Sequence, residues 1–184
     1  MTAERILITG CSGSGKSTFS KTLSKRLGLP LIYLDQLYWR PGWIHVSNAE
    51  FDALLEEVLQ QKRWIIDGNY MRTLPHRLSA CDTVIYLDFP RRTCLLGVLR
   101  RVFSGYGRCR TDMGEGCPER LDFSFLKWIW HFNQKEKPRC MEILRTARPD
   151  QRIFILHSRK ELPELLNQLE RQRRYEQTHE QESE

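Results

Sequence analysis

Gly10-Cys11-Ser12-Gly13-Ser14-Gly15-Lys16-Ser17 matches G-x-x-x-x-G-K-[ST] at every fixed position. Glycines in such a loop let successive backbone N–H groups curl toward phosphate oxygens. Just before it, Arg5–Thr9 is a short apolar run, the look of a buried parallel strand. Just after it, Lys16–Leu27 spaces Phe19, Leu23 and Leu27 along one helical face and stops at Gly28 and Pro30. The helix starts at Lys16, so its positive dipole end adds to the loop amides. This strand–loop–helix predicts a nucleoside triphosphate held by Gly10, Ser12, Gly13, Ser14, Gly15, Lys16, Ser17 and Thr18. Lys16 would reach the β- and γ-phosphates, and the Ser17 hydroxyl would ligate Mg²⁺.

Working outward, Leu31–Leu34 reads as a second strand ending at Asp35, Trp64–Ile66 as a third ending at Asp67, and Thr83–Leu87 as a fourth ending at Asp88. Arg152–Leu156 is the fifth. Between them lie helical stretches: one capped by Ser47 or Asn48, one after Pro90, an aromatic one over Phe123–Phe132 that resumes at Met141–Arg145, and a last over Glu161–Leu169. Alternating strands and helices predict an α/β fold, a parallel sheet covered on both faces, with ligands at the carboxyl ends of its strands. Asp35, Asp67 and Asp88 should therefore share one edge with the glycine loop.

Phosphoryl transfer needs a carboxylate near the metal and another near the accepting hydroxyl. Asp67 is preferred for the metal, acting through water, because Gly68 lets a ligand come close; Asp88 is its rival. Asp35 is the candidate to contact the acceptor and take its proton. Tyr38, Trp39 and Trp43 suit either stacking on a flat acceptor or packing the next helix. Arg72 is a candidate for an acceptor phosphate or carboxylate. The segment 104–120 carries four glycines and several arginines and reads as a lid. Its Arg108 and Arg110, with Arg100-Arg101 just before it, would stabilise charge on the moving group and help exclude water. Arg91-Arg92 reads as a solvated basic face. Cys109 and Cys117 lie too far apart, with no second pair beside them, to suggest structural zinc.

The chain has 184 residues and a net charge of +6, compatible with nucleic-acid binding or with arginines gathered about phosphates. One domain is expected over 1–170, and the polar stretch 171–184 is expected to be disordered. Six scattered cysteines, no signal sequence and no long apolar run predict a cytoplasmic protein with no membrane partner.

Four blocks resemble one family: Tyr33-Leu34-Asp35-Gln36-Leu37-Tyr38-Trp39-Arg40-Pro41-Gly42-Trp43, Trp64-Ile65-Ile66-Asp67-Gly68-Asn69-Tyr70, Tyr86-Leu87-Asp88-Phe89-Pro90-Arg91, and Arg108-Cys109-Arg110-Thr111-Asp112-Met113. With the glycine loop they are similar to the DNA topology modulation (FlaR-related) proteins, which in turn resemble adenylate-kinase-like nucleotide kinases. The resemblance implies a P-loop NTPase with five parallel strands in the order 2-3-1-4-5, ATP as donor, and Arg101 embracing the triphosphate with the lid arginines. Nucleotide kinases of that type follow the aspartate and glycine with Phe-Pro-Arg; here the run is Asn69-Tyr70-Met71-Arg72. AMP is therefore not assumed as acceptor. The expectation is a Mg-ATP kinase acting on a small nucleotide- or nucleoside-like acceptor. The alternatives are a kinase for a sugar-acid-like metabolite and a nucleotide-switched regulatory or DNA-associated protein. No DNA-reading module is visible, so nucleic acid is the lesser expectation.

Overall fold

The computed structural model describes residues 3–181. Five parallel strands form the main sheet: β1 (Arg5–Gly10), β2 (Leu31–Tyr33), β3 (Trp64–Asp67), β4 (Thr83–Leu87) and β5 (Arg152–Leu156). Their spatial order is β2-β3-β1-β4-β5, with β1 in the middle. The chain runs outward from β1 on one side through β2, returns to β3, then crosses to β4 and β5. The phosphate loop thus leaves β1 where the strand order reverses, the place where open α/β sheets form a crevice.

Helices cover both faces: α1 (Lys16–Leu27), the one-turn α2 (Leu34–Tyr38), α3 (Asn48–Leu59), α4 (Leu74–Ala80), α5 (Arg91–Gly105), α6 (Phe123–Leu144) and α7 (Leu162–Gln181). Alternation along the strands divides the core. Ile6, Ile8, Ile65 and Ile85 pack against Phe19 and Leu23 of α1, Val98 of α5 and Leu165 of α7. Leu7, Ile66, Val84 and Tyr86 face Phe51 and Leu55 of α3 and Leu74 of α4. Because both faces are covered, the central strands read as unbroken apolar runs.

Local sequence sets the helix ends. The Ser47 hydroxyl accepts from the Glu50 amide at 3.1 Å and starts α3. Asp122 accepts from the Phe125 amide at 3.0 Å and starts α6. The two aromatic and aliphatic pieces expected around 123–145 are a single helix, with Pro138 inside it. Pro138 removes one helix hydrogen bond, but buried Phe132 before it and buried Cys140 and Leu144 after it anchor both arms.

The expected disorder over 171–184 is corrected: α7 continues to Gln181. Leu165, Leu166 and Leu169 seat its first turns, and the residues that follow are mostly strong helix formers. Arg173 ties the extension to Glu4 at 3.5 Å, and Arg152 donates to Gln172 at 2.8 Å. Residues 182–184 lie outside the described residues. Among those described, no helix is long and apolar enough to cross a membrane.

Two further pieces shape the site. Trp39–Arg40 pairs antiparallel with Ile44–His45 through the turn Pro41-Gly42-Trp43. Residues 106–122, between α5 and α6, lie across this hairpin. Gly42 N–H donates to the Gly116 carbonyl at 2.9 Å, the Trp43 indole to the Pro118 carbonyl at 3.2 Å, and Gln36 to the Thr111 carbonyl at 2.7 Å. Space there is tight enough that Gly114 packs directly on the Trp39 carbonyl.

Candidate active site

The phosphate loop folds as its glycines allow. Gly13 and Gly15 sit at φ of 81° and 101°, conformations that favour glycine. A Cβ on Gly13 would collide with the Cys94 carbonyl of α5, and one on Gly97 would collide with the Gly13 carbonyl. Loop and α5 therefore meet backbone to backbone. Lys16 is nearly buried, and its ammonium donates to the Cys11 carbonyl at 2.8 Å.

Asp67 ends β3 beside this loop, 4% exposed. Burial pushes its carboxyl up to about 6, although the Lys16 charge and a hydrogen bond with Ser17 oppose the rise. Its Oδ1 is buried without a protein partner. An orphaned carboxylate oxygen beside a hydroxyl at a phosphate loop fits a small hard cation that binds through oxygen and water.

Across the crevice, Asp35 follows β2. The Tyr70 hydroxyl donates to Asp35 Oδ1 at 2.6 Å. Burial raises the Asp35 carboxyl above its ordinary range, with the Tyr70 hydrogen bond and the Arg110 charge pulling the other way. Tyr70 is itself fixed from below, because fully buried Arg77 donates to the Gly68 carbonyl at 3.1 Å and the Tyr70 carbonyl at 2.6 Å.

The lid brings its own ion network. Glu119, 4% exposed, holds Arg101 of α5 at 3.0 Å and Arg110 of the lid at 2.5 Å. Arg110 also donates to Asp112 at 2.8 Å. Burial and the neighbouring Arg110 charge lower the Arg101 guanidinium pKa, while Glu119 opposes that fall. One continuous cavity of about 950 Å³ is bounded by the loop Ser12–Thr18, Asp35, Trp39, Asp67, Arg101 and Arg110. These sequence-predicted residues are brought together.

Others are not. Gly10 does not border the cavity; it packs on β4, where a Cβ would stand 2.6 Å from the Leu87 carbonyl oxygen. Arg72 turns outward and grips Asp52 of α3 with two hydrogen bonds of 2.9 and 2.7 Å. Arg108 is exposed and does not border the cavity. Asp88 shares the sheet edge but lies outside the cavity, bound to Lys137 at 2.8 Å. Arg91 stacks over Trp130, 4.0 Å from the ring centre. Of the aromatics, Trp39 faces the cavity, whereas Tyr38 packs against Phe51 and Tyr70.

Sequence reasoning missed Glu119, Asp112 and Arg159. Arg159 donates to the Gly13 carbonyl at 3.3 Å and borders the cavity from the loop after β5. Its position three residues beyond a parallel strand was the available signal. For Glu119 and Asp112 it was the presence of carboxylates inside an arginine-rich segment.

No family model matches the chain. The uncharacterized protein YqaC of Bacillus subtilis is 30% identical over 127 residues, 68% of this chain and 70% of that protein. A shikimate kinase of Dehalococcoides mccartyi is 33% identical over 102 residues, 47% of this chain and 58% of its own length. The chain thus spans little more than half of that kinase. Among solved structures, a shikimate kinase from Acinetobacter baumannii in complex with shikimate superposes with a TM-score of 0.62, covering 91% of both chains at 16% identity. That likeness is one of fold. With the phosphate loop at the head of this sheet and the identity shared across most of YqaC, the chain belongs to the kinase-like P-loop NTPases, in one family with YqaC.

Proposed function

We propose that the protein is a Mg-ATP-dependent phosphotransferase that delivers the γ-phosphoryl group to a hydroxyl of a small acceptor. The observation that carries this reading is the single undivided cavity joining the phosphate loop to Asp35. Donor and acceptor could meet there without either leaving the protein.

Each residue then has a task. The loop amides and Lys16 hold the polyphosphate, and Lys16 exchanges its Cys11 carbonyl for phosphate oxygens. Ser17 and Asp67 hold Mg²⁺, Asp67 through water. Bound Mg-ATP supplies a phosphoryl group with partly neutralised charge. Asp35 orients the accepting hydroxyl and takes its proton on the carboxylate oxygen that Tyr70 leaves open. Its raised pKa makes it a stronger base than an ordinary aspartate. Arg101 and Arg110 border the space between donor and acceptor, where negative charge grows during transfer. The lid over the hairpin keeps water out. Arg72, bound to Asp52, takes no part. The further likeness to the DNA topology modulation proteins rests on the aromatic and Asp67–Tyr70 blocks and adds no separate chemistry.

Calorimetry with Mg-ATP and a small-acceptor screen test the reading. Lys16→Ala should weaken nucleotide binding at least a hundredfold. Unchanged binding, or ATP hydrolysis that no acceptor alters or captures, would overturn it.

A further inference from the structure

Glu119 is a carboxylate with almost no exposed surface. Its main chain is held on both sides: its N–H donates to the Arg108 carbonyl at 2.9 Å, and its carbonyl accepts from the Gly107 N–H at 2.9 Å. The side chain therefore leaves from a fixed point. One of its oxygens, Oε1, meets two guanidiniums from different elements, Arg101 of α5 at 3.0 Å and Arg110 of the segment 106–122 at 2.5 Å. It meets both through the same atom, Nε.

That atom decides which way the two forks open. The N–H groups of a guanidinium divide between Nε and the two terminal nitrogens. With Nε turned to Glu119, the terminal nitrogens are left for other partners. Among the described residues, those of Arg101 have none, and Arg110 spends only Nη1, on Asp112 at 2.8 Å. Both side chains border the cavity. Two like charges gathered on one oxygen repel each other, and the Arg110 charge helps lower the Arg101 pKa. An anion that reached both sets of terminal nitrogens would relieve that repulsion and be met in the planar manner in which guanidiniums bind phosphate. The phosphate loop borders the same cavity and would present such an anion, the terminal phosphate of the donor.

We infer that Glu119 is a positioning residue, which fixes Arg101 and Arg110 by Nε and so aims their terminal nitrogens together at the donor's terminal phosphate. The inference rests on the phosphotransfer reading and deepens it. Without the shared oxygen the two cations part, each long side chain regaining its own rotamers. A mere countercharge would act in the opposite sense, because neutralising it would leave the cavity more positive and tighten its hold on anions.

Calorimetry with Mg-AMP-PNP and Mg-ADP, which differ by the terminal phosphate, separates the two. Glu119→Gln should weaken Mg-AMP-PNP at least about tenfold and leave Mg-ADP within about threefold. Glu119→Asp withdraws the carboxylate by one methylene and should show the same selective loss, which keeps the test open should the glutamine variant not fold. In protein already carrying Arg101→Gln and Arg110→Gln, the change at Glu119 should alter Mg-AMP-PNP affinity less than about twofold, since its effect passes through those arginines. Unchanged or tighter Mg-AMP-PNP binding by the Glu119 variants overturns the inference. So does an equal loss for both nucleotides, the mark of a purely structural role, or an undiminished effect in the arginine-less background. Wild-type protein that binds neither nucleotide sinks the phosphotransfer reading itself.

Discussion

Arg77 is a full positive charge with no exposed surface, and burial lowers its pKa to about 10. It stays charged at neutral pH and spends its donors on the loop between Asp67 and Thr73. Arg77→Met should destabilise the protein by roughly 3–5 kcal/mol in urea denaturation, since it strands buried carbonyls. Asp67 behaves in the opposite sense from a paired surface aspartate. Burial raises its pKa from 3.8 to about 6, so the folded protein holds this proton more tightly than the unfolded chain. In EDTA, the stability linked to Asp67 is full below about pH 4 and is lost as pH rises through about 6. Asp67→Asn should remove that pH dependence and raise metal-free stability at pH 7.5 by on the order of 1–3 kcal/mol. Urea melts of both proteins at pH 4.5 and 7.5 would measure it. Both aspartates of the site were legible, because each ends an apolar run. Arg77 was not, because nothing in Leu74–Ala80 distinguishes a buried arginine from a solvated one.

Among the elements, the phosphate loop depends on α5 as much as on its own glycines. Gly97 has an ordinary helical setting, but any side chain there meets the Gly13 carbonyl. Gly97→Ala should therefore cost about 1–3 kcal/mol of stability. It should also weaken Mg-ATP binding at least tenfold, measured by calorimetry on the folded variant. This contact was invisible in the sequence, since it joins residues eighty-four positions apart. The strands, α1 and the Ser47 cap were readable because their signals are local. The end of α7 was misread because polar composition suits both a solvated coil and a helix pinned at a few points. Here Arg173 and Gln172 supply the pins.

Across the whole molecule, residues 106–122 and the Trp39–His45 hairpin meet over the cavity, and Glu119 fastens that segment to α5. Glu119→Gln should leave two neighbouring guanidiniums facing each other. The lid would then be cut severalfold faster in limited proteolysis at 106–122, and Mg-ATP should restore part of the protection. The sheet order and the crevice at β1 follow from the alternation of strands and helices together with the family resemblance. The division of arginines between cavity and exterior does not, because orientation depends on partners such as Asp52 and Glu119 that lie far away in the chain.

Gly114 rests on the Trp39 carbonyl and Gly116 on Pro41, so the flap and the tryptophan beneath it are meshed like the two rows of a zip. A side chain at either glycine would wedge the two rows apart. Under the proposed phosphotransfer, seating a molecule against Trp39 and closing the arginine-bearing flap would then be one mechanical event.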